Sequence, residues 1–201
     1  MFNFNMIMKI AFEQYLRSQT QLGEAAISLI SSLCKERQLK RNEILLAAGE
    51  ISRYKVFVLN GLLKTYTLSK GGTETIFSFL KEKAWTSLDV ESFHNLSPSS
   101  FYVSAIEPAK LLIWTKSDFD HLLTELPLLK YHADLLGTQK VYQNKERLMT
   151  ALMSSPEEKY QKFQQNHPEL LLRIPLQQIA AYLGISVKTL TRTRYSQLHK
   201  Y

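Results

Sequence analysis

The C-terminal stretch Ile174–Tyr201, IPLQQIAAYLGISVKTLTRTRYSQLHKY, constrains this chain more than any other part. Leu176, Ile179, Ala180 and Leu183 recur at i, i+3, i+4 and i+7, the spacing of one helix face. Pro175 suits a first helical position, where its missing N–H would be unbonded anyway. Gly184 follows and can take the left-handed conformation that ends a helix. Ile185 then turns back toward the core, and Ser186 is a natural N-cap for a second helix. On that helix Leu190 and Leu198 face inward, while Lys188, Arg192, Tyr195 and His199 form an outward stripe. Ala180 is small where the two helices must approach closely. A cationic and aromatic helix face, set across a short turn from a support helix, has the shape that enters a DNA major groove. The plainer alternative is an amphipathic helical hairpin with a solvated basic face.

Charge favours the first option. Beyond Glu169 the chain has no acidic residue, while Arg173, Lys188, Arg192, Arg194 and Lys200 supply cations. The whole chain of 201 residues carries a formal charge of +7 and a pI near 9.4, which suits a polyanionic partner. With 45% hydrophobic and 21% charged residues it belongs among folded proteins, with length for one sizeable domain and a smaller one. Cys34 is the single cysteine, so no internal disulfide and no cysteine-ligated iron–sulfur cluster can form within the chain, and a reducing compartment is expected. The opening run MFNFNMIMKIAFEQYL lacks a basic region ahead of its apolar part, is interrupted by Lys9 and shows no cleavage site, so no signal peptide is expected. No stretch approaches the roughly 20 apolar residues of a membrane span. A cytoplasmic protein without membrane association is the expectation.

Taken in order, residues 10–34 have helical periodicity, with Phe12, Tyr15 and Leu16 on one face and Ala25, Ala26, Leu29, Ile30 and Leu33 on another. The basic run KERQLKR, 35–41, is expected to be a solvated connector. From Glu43 the period shortens into strand-like runs: EILLAAGE, YKVFVLNGLLKTYTLS and KGGTETIFSF. Asn60-Gly61 predicts a two-residue hairpin of type I′, and Lys70-Gly71-Gly72 a second turn. A polar, less regular segment, 85–100, leads to the strands FYVSAI and AKLLIW. Short strands so closely spaced predict an antiparallel roll or small barrel. Helix resumes over 115–126, with Ser117-Asp118 as its cap region. A long helix follows whose seam, Leu128, Tyr131, Leu135, Thr138, Tyr142, Lys145, Met149 and Leu152, steps by three and four like a coiled-coil contact. That seam can pack internally or against a second copy, and a helix extending past one compact roll favours the second copy. Ser155, Pro156 and two glutamates then start a fresh helix.

This order, and above all IAAYLGISVKTLTRTR together with SPEEKYQKFQQNHPELLLRIP ahead of it, resembles the cyclic-AMP receptor protein/Fnr family of bacterial transcription regulators. The resemblance spans nearly the whole chain. It implies an α+β architecture: a cyclic-nucleotide-binding-like β-roll, an antiparallel jelly roll with flanking helices, over 1–126; a dimerisation helix over 127–153; and a helix-turn-helix domain over 154–201. It implies a homodimer on a near-palindromic promoter site, with double-stranded DNA as partner and RNA polymerase as a candidate further one. The expected DNA-binding residues are Lys188, Thr191, Arg192, Arg194, Tyr195, His199 and Lys200, with Arg192 at the family's base-reading position.

The departures matter as much. The family's phosphate pocket uses a Gly-Glu pair and an arginine before the next strand. The corresponding positions here are Ala84, Trp85, Thr86 and Ser87, then Ser99 and Ser100, and no arginine occurs between Arg53 and Arg147. A buried phosphate needs a bidentate cation and oriented N–H donors, and Lys81 and Lys83 are poorer substitutes. Cyclic AMP is therefore not expected as effector, no cofactor is expected, and Trp85 is a candidate to fill the vacated space. Val187 and Lys188 stand where cyclic-AMP-responsive members have Arg and Glu, Thr193 stands at a usually apolar position, and no β-wing is expected after the helix. An enzyme is not expected: a metal-dependent roll needs converging histidines and a carboxylate, and His94 is alone among the strands. A ligand-sensing or scaffold module whose helical tail binds a protein remains the alternative.

Overall fold

The structure, a computed structural model, describes residues 4–198, and side chains over 9–196. The chain divides into two compact units, the first comprising 1–67 and 79–136, the second 68–78 and 137–201. In the first unit, α1 (Phe4–Gln19) and α2 (Glu24–Leu33) precede β1 (Lys35–Leu39), β2 (Ile44–Leu46), β3 (Tyr54–Asn60) and β4 (Leu63–Leu68). After β5 (Glu74–Leu80) come β6 (Trp85–Thr86), α3 (Val90–Asn95), β7 (Tyr102–Ala105), β8 (Ala109–Thr115) and α4 (Lys116–Glu125). The strands form two four-stranded sheets, ordered β1-β8-β3-β6 and β2-β7-β4-β5, with antiparallel pairing.

Two strands show why the roll reads as unbroken apolar runs. In β3, Val56 and Val58 point between the sheets and Phe57 points to the helices. In β8, Leu111 joins the inner core while Leu112 and Trp114 join the outer one. A strand covered on both faces loses its polar alternation. The outer core sets Phe12, Leu16, Ile27 and Ile30 of α1 and α2 against Phe57, Leu112 and Trp114, with Phe119 and Leu122 of α4 closing it. The buried indole N–H of Trp114 donates to the Ile30 carbonyl at 2.9 Å, so this large side chain is packed without an orphaned donor. Burial at 1.5–3 kcal/mol for each large apolar side chain makes this layer, to order of magnitude, a main source of the roll's stability.

Several local expectations are corrected. The α2 face is Ile27, Ile30 and Ser31, with Leu29 exposed. The basic run at 35–41 is no connector, since Lys35–Leu39 is strand β1, paired along β8. It lies at a sheet edge with only Leu39 buried, and charges there discourage pairing with other chains. Asn60-Gly61 is not a hairpin, because β3 and β4 belong to different sheets. The pair forms the corner where the chain changes sheets. Gly61 has φ +100, and a Cβ there would lie 2.6 Å from both the Ala109 Cα and the Pro108 oxygen. The irregular segment contains α3, capped by Asp89, and the cap of α4 is Thr115, whose hydroxyl accepts from the Asp118 N–H at 3.1 Å. The Lys70–Gly72 turn does join β4 to β5, with Gly72 donating to the Ser69 carbonyl.

α5 runs Pro127–Met153. In the second unit it is followed by α6 (Pro156–Asn166), a short 3-10 turn (Pro168–Leu170), α7 (Leu176–Leu183) and α8 (Val187–Leu198). Ser155 and Glu158 make a reciprocal capping box at the start of α6. The backbone N–H of Ser155 holds the Glu158 carboxyl below its ordinary pKa.

Candidate nucleic-acid interface

α7 and α8 form the expected helix-turn-helix. Ile179, Ala180 and Leu183 are buried on α7, and Gly184 takes φ 66 to end it. The N–H groups of Gly184 and Ile185 both donate to the Ala180 carbonyl, closing the turn. Ser186 caps α8, its hydroxyl accepting from the Thr189 N–H at 3.0 Å. Leu190 is fully buried beneath the helix. Thr193 is fully buried as well, and its hydroxyl donates to Glu157 of α6 at 3.4 Å, so a polar residue at this core position keeps a partner.

The opposite face of α8 carries Lys188, Thr191, Arg192 and Tyr195, all exposed, and Arg194 is exposed to one side of it, one turn beyond Leu190. Lys188 and Arg192 are one turn apart on the same side of the helix. The Thr191 hydroxyl donates back to the Val187 carbonyl at 2.9 Å. The Leu198 side chain, His199 and Lys200 lie outside the described residues. The arrangement offers bidentate and point-charge donors on an exposed helix, which is what phosphate and guanine-edge contacts require.

The degenerate pocket positions separate in space. Ala84 packs at the margin of the inner core. Trp85 does not fill a pocket between the sheets. Its indole stacks on Trp114 at 5.2 Å and sits among Phe12, Phe57 and Phe119 on the helix-covered face, because it pairs opposite Phe57 and shares that residue's side of the sheet. Thr86 is half-buried and Ser100 exposed. Ser87 and Ser99 enter a buried network that the sequence did not suggest. The Ser52 hydroxyl donates to the Ser87 carbonyl, and the Ser52 N–H donates to the Ser92 hydroxyl at 2.9 Å. Asp89 accepts from the Ser92 N–H at 3.3 Å and from the Ser99 hydroxyl at 2.7 Å. A carboxylate thus lies beside Ser99 within this network. The one trace in sequence was Asp89 three residues before Ser92, an N-cap spacing.

Residues 36–125 match the model of the cyclic nucleotide-binding domain. The chain is 23% identical over 185 residues to the nitrogen fixation regulation protein FixK of Bradyrhizobium diazoefficiens, covering 87% of this chain and 76% of that one. Among solved structures it is similar to FixK2 from Bradyrhizobium japonicum, with a TM-score of 0.71, 16% identity and coverage of 83% and 84%. It is also similar to the catabolite activator protein of Thermus thermophilus, with a TM-score of 0.56, 19% identity and coverage of 90% and 85%. A nucleotide-binding-type roll, a long helix and a helix-turn-helix follow one another along this chain. This chain carries a cyclic nucleotide-binding-type domain and shares its fold with these regulators. Its relatives are regulators rather than enzymes. Among the described residues no helix is long and apolar enough to cross a membrane.

Proposed function

We propose that the protein binds a near-palindromic site on double-stranded DNA as a homodimer, in the cytoplasm and without cyclic AMP as effector. The observation that carries this reading is the exposed face of α8, where Lys188, Thr191, Arg192 and Tyr195 stand together opposite a fully buried Leu190. Arg192 bonds a guanine O6 and N7, Lys188 meets the neighbouring base edges, and Arg194 contacts phosphate. We also assign DNA contacts to His199 and Lys200. We assign the sensor roll to 1–126, the dimer helix to 127–153 and the DNA-binding domain to 154–201. The α5 seam joins the two copies, its Leu128, Tyr131, Leu135, Tyr142, Met149 and Leu152 being exposed within the single chain. RNA polymerase is a further partner once the dimer sits on a promoter. The test is selection of bound fragments from the organism's own genomic DNA, followed by titration of the recovered site. Two chains per site, with affinity falling steeply as salt rises, supports the reading. Failure to enrich any fragment contradicts it and favours a scaffold whose helical tail binds protein.

A further inference from the structure

Arg147 makes a set of contacts that neither the fold nor the α8 face explains. It lies on α5, yet its Nη2 donates to two backbone carbonyls of other elements, Ile76 at 2.6 Å and Tyr182 at 3.3 Å. Its guanidinium also lies 4.2 Å from the Tyr182 ring centroid and 6.0 Å from that of Phe77. All four residues belong to the second compact unit. No carboxylate pairs with Arg147 among the described residues, and burial lowers its pKa from the ordinary arginine value. A desolvated cation without an ion-pair partner is costly unless its N–H groups are well placed.

The acceptors are informative. Tyr182 is the penultimate residue of α7, so its carbonyl is among those a helix C-terminus leaves without an internal partner. A cation there also meets the negative end of the helix dipole. Two residues later Gly184 turns the chain into α8. Ile76 lies on β5, an edge strand. One side chain therefore ties the edge strand, the long helix and the end of the support helix together, immediately before the turn that launches α8.

We propose that Arg147 is a positioning residue for DNA recognition, fixing the α7–α8 turn against α5 and thereby setting the half-site spacing that the dimer accepts. This rests on the DNA-binding dimer proposed above. Half-sites of such dimers are read one helical turn apart, and one base pair more or less displaces a half-site by about 3.4 Å along the axis and rotates it about 35°. A rigid turn tolerates neither change. A loosened one adjusts.

The experiment compares the full chain with Arg147→Met and Arg147→Lys on the selected operator and on versions with one base pair inserted or removed at the centre. The wild type loses roughly tenfold or more on the altered spacings. In both variants the gap shrinks to about threefold or less. Lysine does not restore it, because a compact ammonium cannot stack on Tyr182 as the planar guanidinium does while it reaches the carbonyls. The slope of affinity against salt stays unchanged, since Arg147 touches no phosphate. Retention of the full tenfold gap in Arg147→Met overturns the proposal, as does a salt slope reduced by about one unit. Hydrogen exchange without DNA supplies a separate arm: protection of the Gly184 and Ile185 amides falls in Arg147→Met. Unchanged protection also overturns it. A wild type that enriches no DNA refutes the functional reading, while the exchange arm still decides whether Arg147 holds the turn.

Discussion

At the scale of single residues, charge placement supports the proposal that this roll works without cyclic AMP. Asp89 and Ser99 satisfy each other at 2.7 Å where the family resemblance would put an arginine. Loss of one charge-assisted partner to a buried anion costs roughly 2–5 kcal/mol, more than tenfold in affinity. Calorimetric titration with cyclic AMP should therefore show no binding in the micromolar range, and a micromolar Kd would contradict this account of the pocket. Lys55 is a second informative residue. It is half-buried on β3, with its Nζ 5.2 Å from the Phe119 ring centroid, and burial alone pushes its pKa down to about 8. In the unfolded chain the group titrates near 10.4. Between about pH 8 and 10.4 the unfolded state binds more protons, so stability rises with pH through that window, and the burial penalty is fully present at pH 7. Lys55→Met should stabilise by roughly 1–2 kcal/mol at pH 7, less than the full shift implies because the amine keeps some solvent. That gain should shrink toward pH 10. Equal gains in melting temperature at both pH values would show that the ammonium is not the source.

At the scale of elements, the long helix carries the clearest prediction. Its seam residues range from 42% exposed at Leu135 to 73% at Leu152, so the single chain leaves this apolar face uncovered. Leu135 and Tyr142 replaced together by Asp would place charges in a contact between two copies, at a cost of several kcal/mol per dimer. Monomers by light scattering are the expected result, and the parent's mass would exclude this seam as the contact. Elements were legible in proportion to how far local chemistry decided them. Ser155 with Glu158, and Gly184 with Ser186, act through neighbours within four residues, and all are seen in their expected roles. β1 was missed because its strand character comes from pairing with β8, 70 to 78 residues away in sequence, while most of its own residues are charged or polar. The Asn60-Gly61 corner misled for a related reason. Gly61 is required by the close approach of Ala109, a distant contact, and not by a local hairpin.

At the scale of the whole molecule, the order of roll, long helix and helix-turn-helix was legible from changes in period and from glycine punctuation. The outer stripe of α8 was legible because it depends only on helical spacing above a buried Leu190. The Ser52–Ser87–Asp89–Ser92–Ser99 network and the Arg147 contacts were not, since each joins residues far apart in sequence through groups that any serine or arginine carries. The central claim is that α8 reads bases, and that Arg192 and Arg194 do different work on it. The most direct measurement is binding of Arg192→Ala and Arg194→Ala to the selected operator and to scrambled DNA across a salt series. Arg192→Ala should lose about 1–3 kcal/mol on the operator and little on scrambled DNA, relaxing preference at one base pair per half-site. Arg194→Ala should weaken both alike and lower the salt slope by about one unit. If Arg192→Ala reduces both affinities by the same factor, Arg192 touches only phosphate, and the assignment of α8 as a base-reading helix fails.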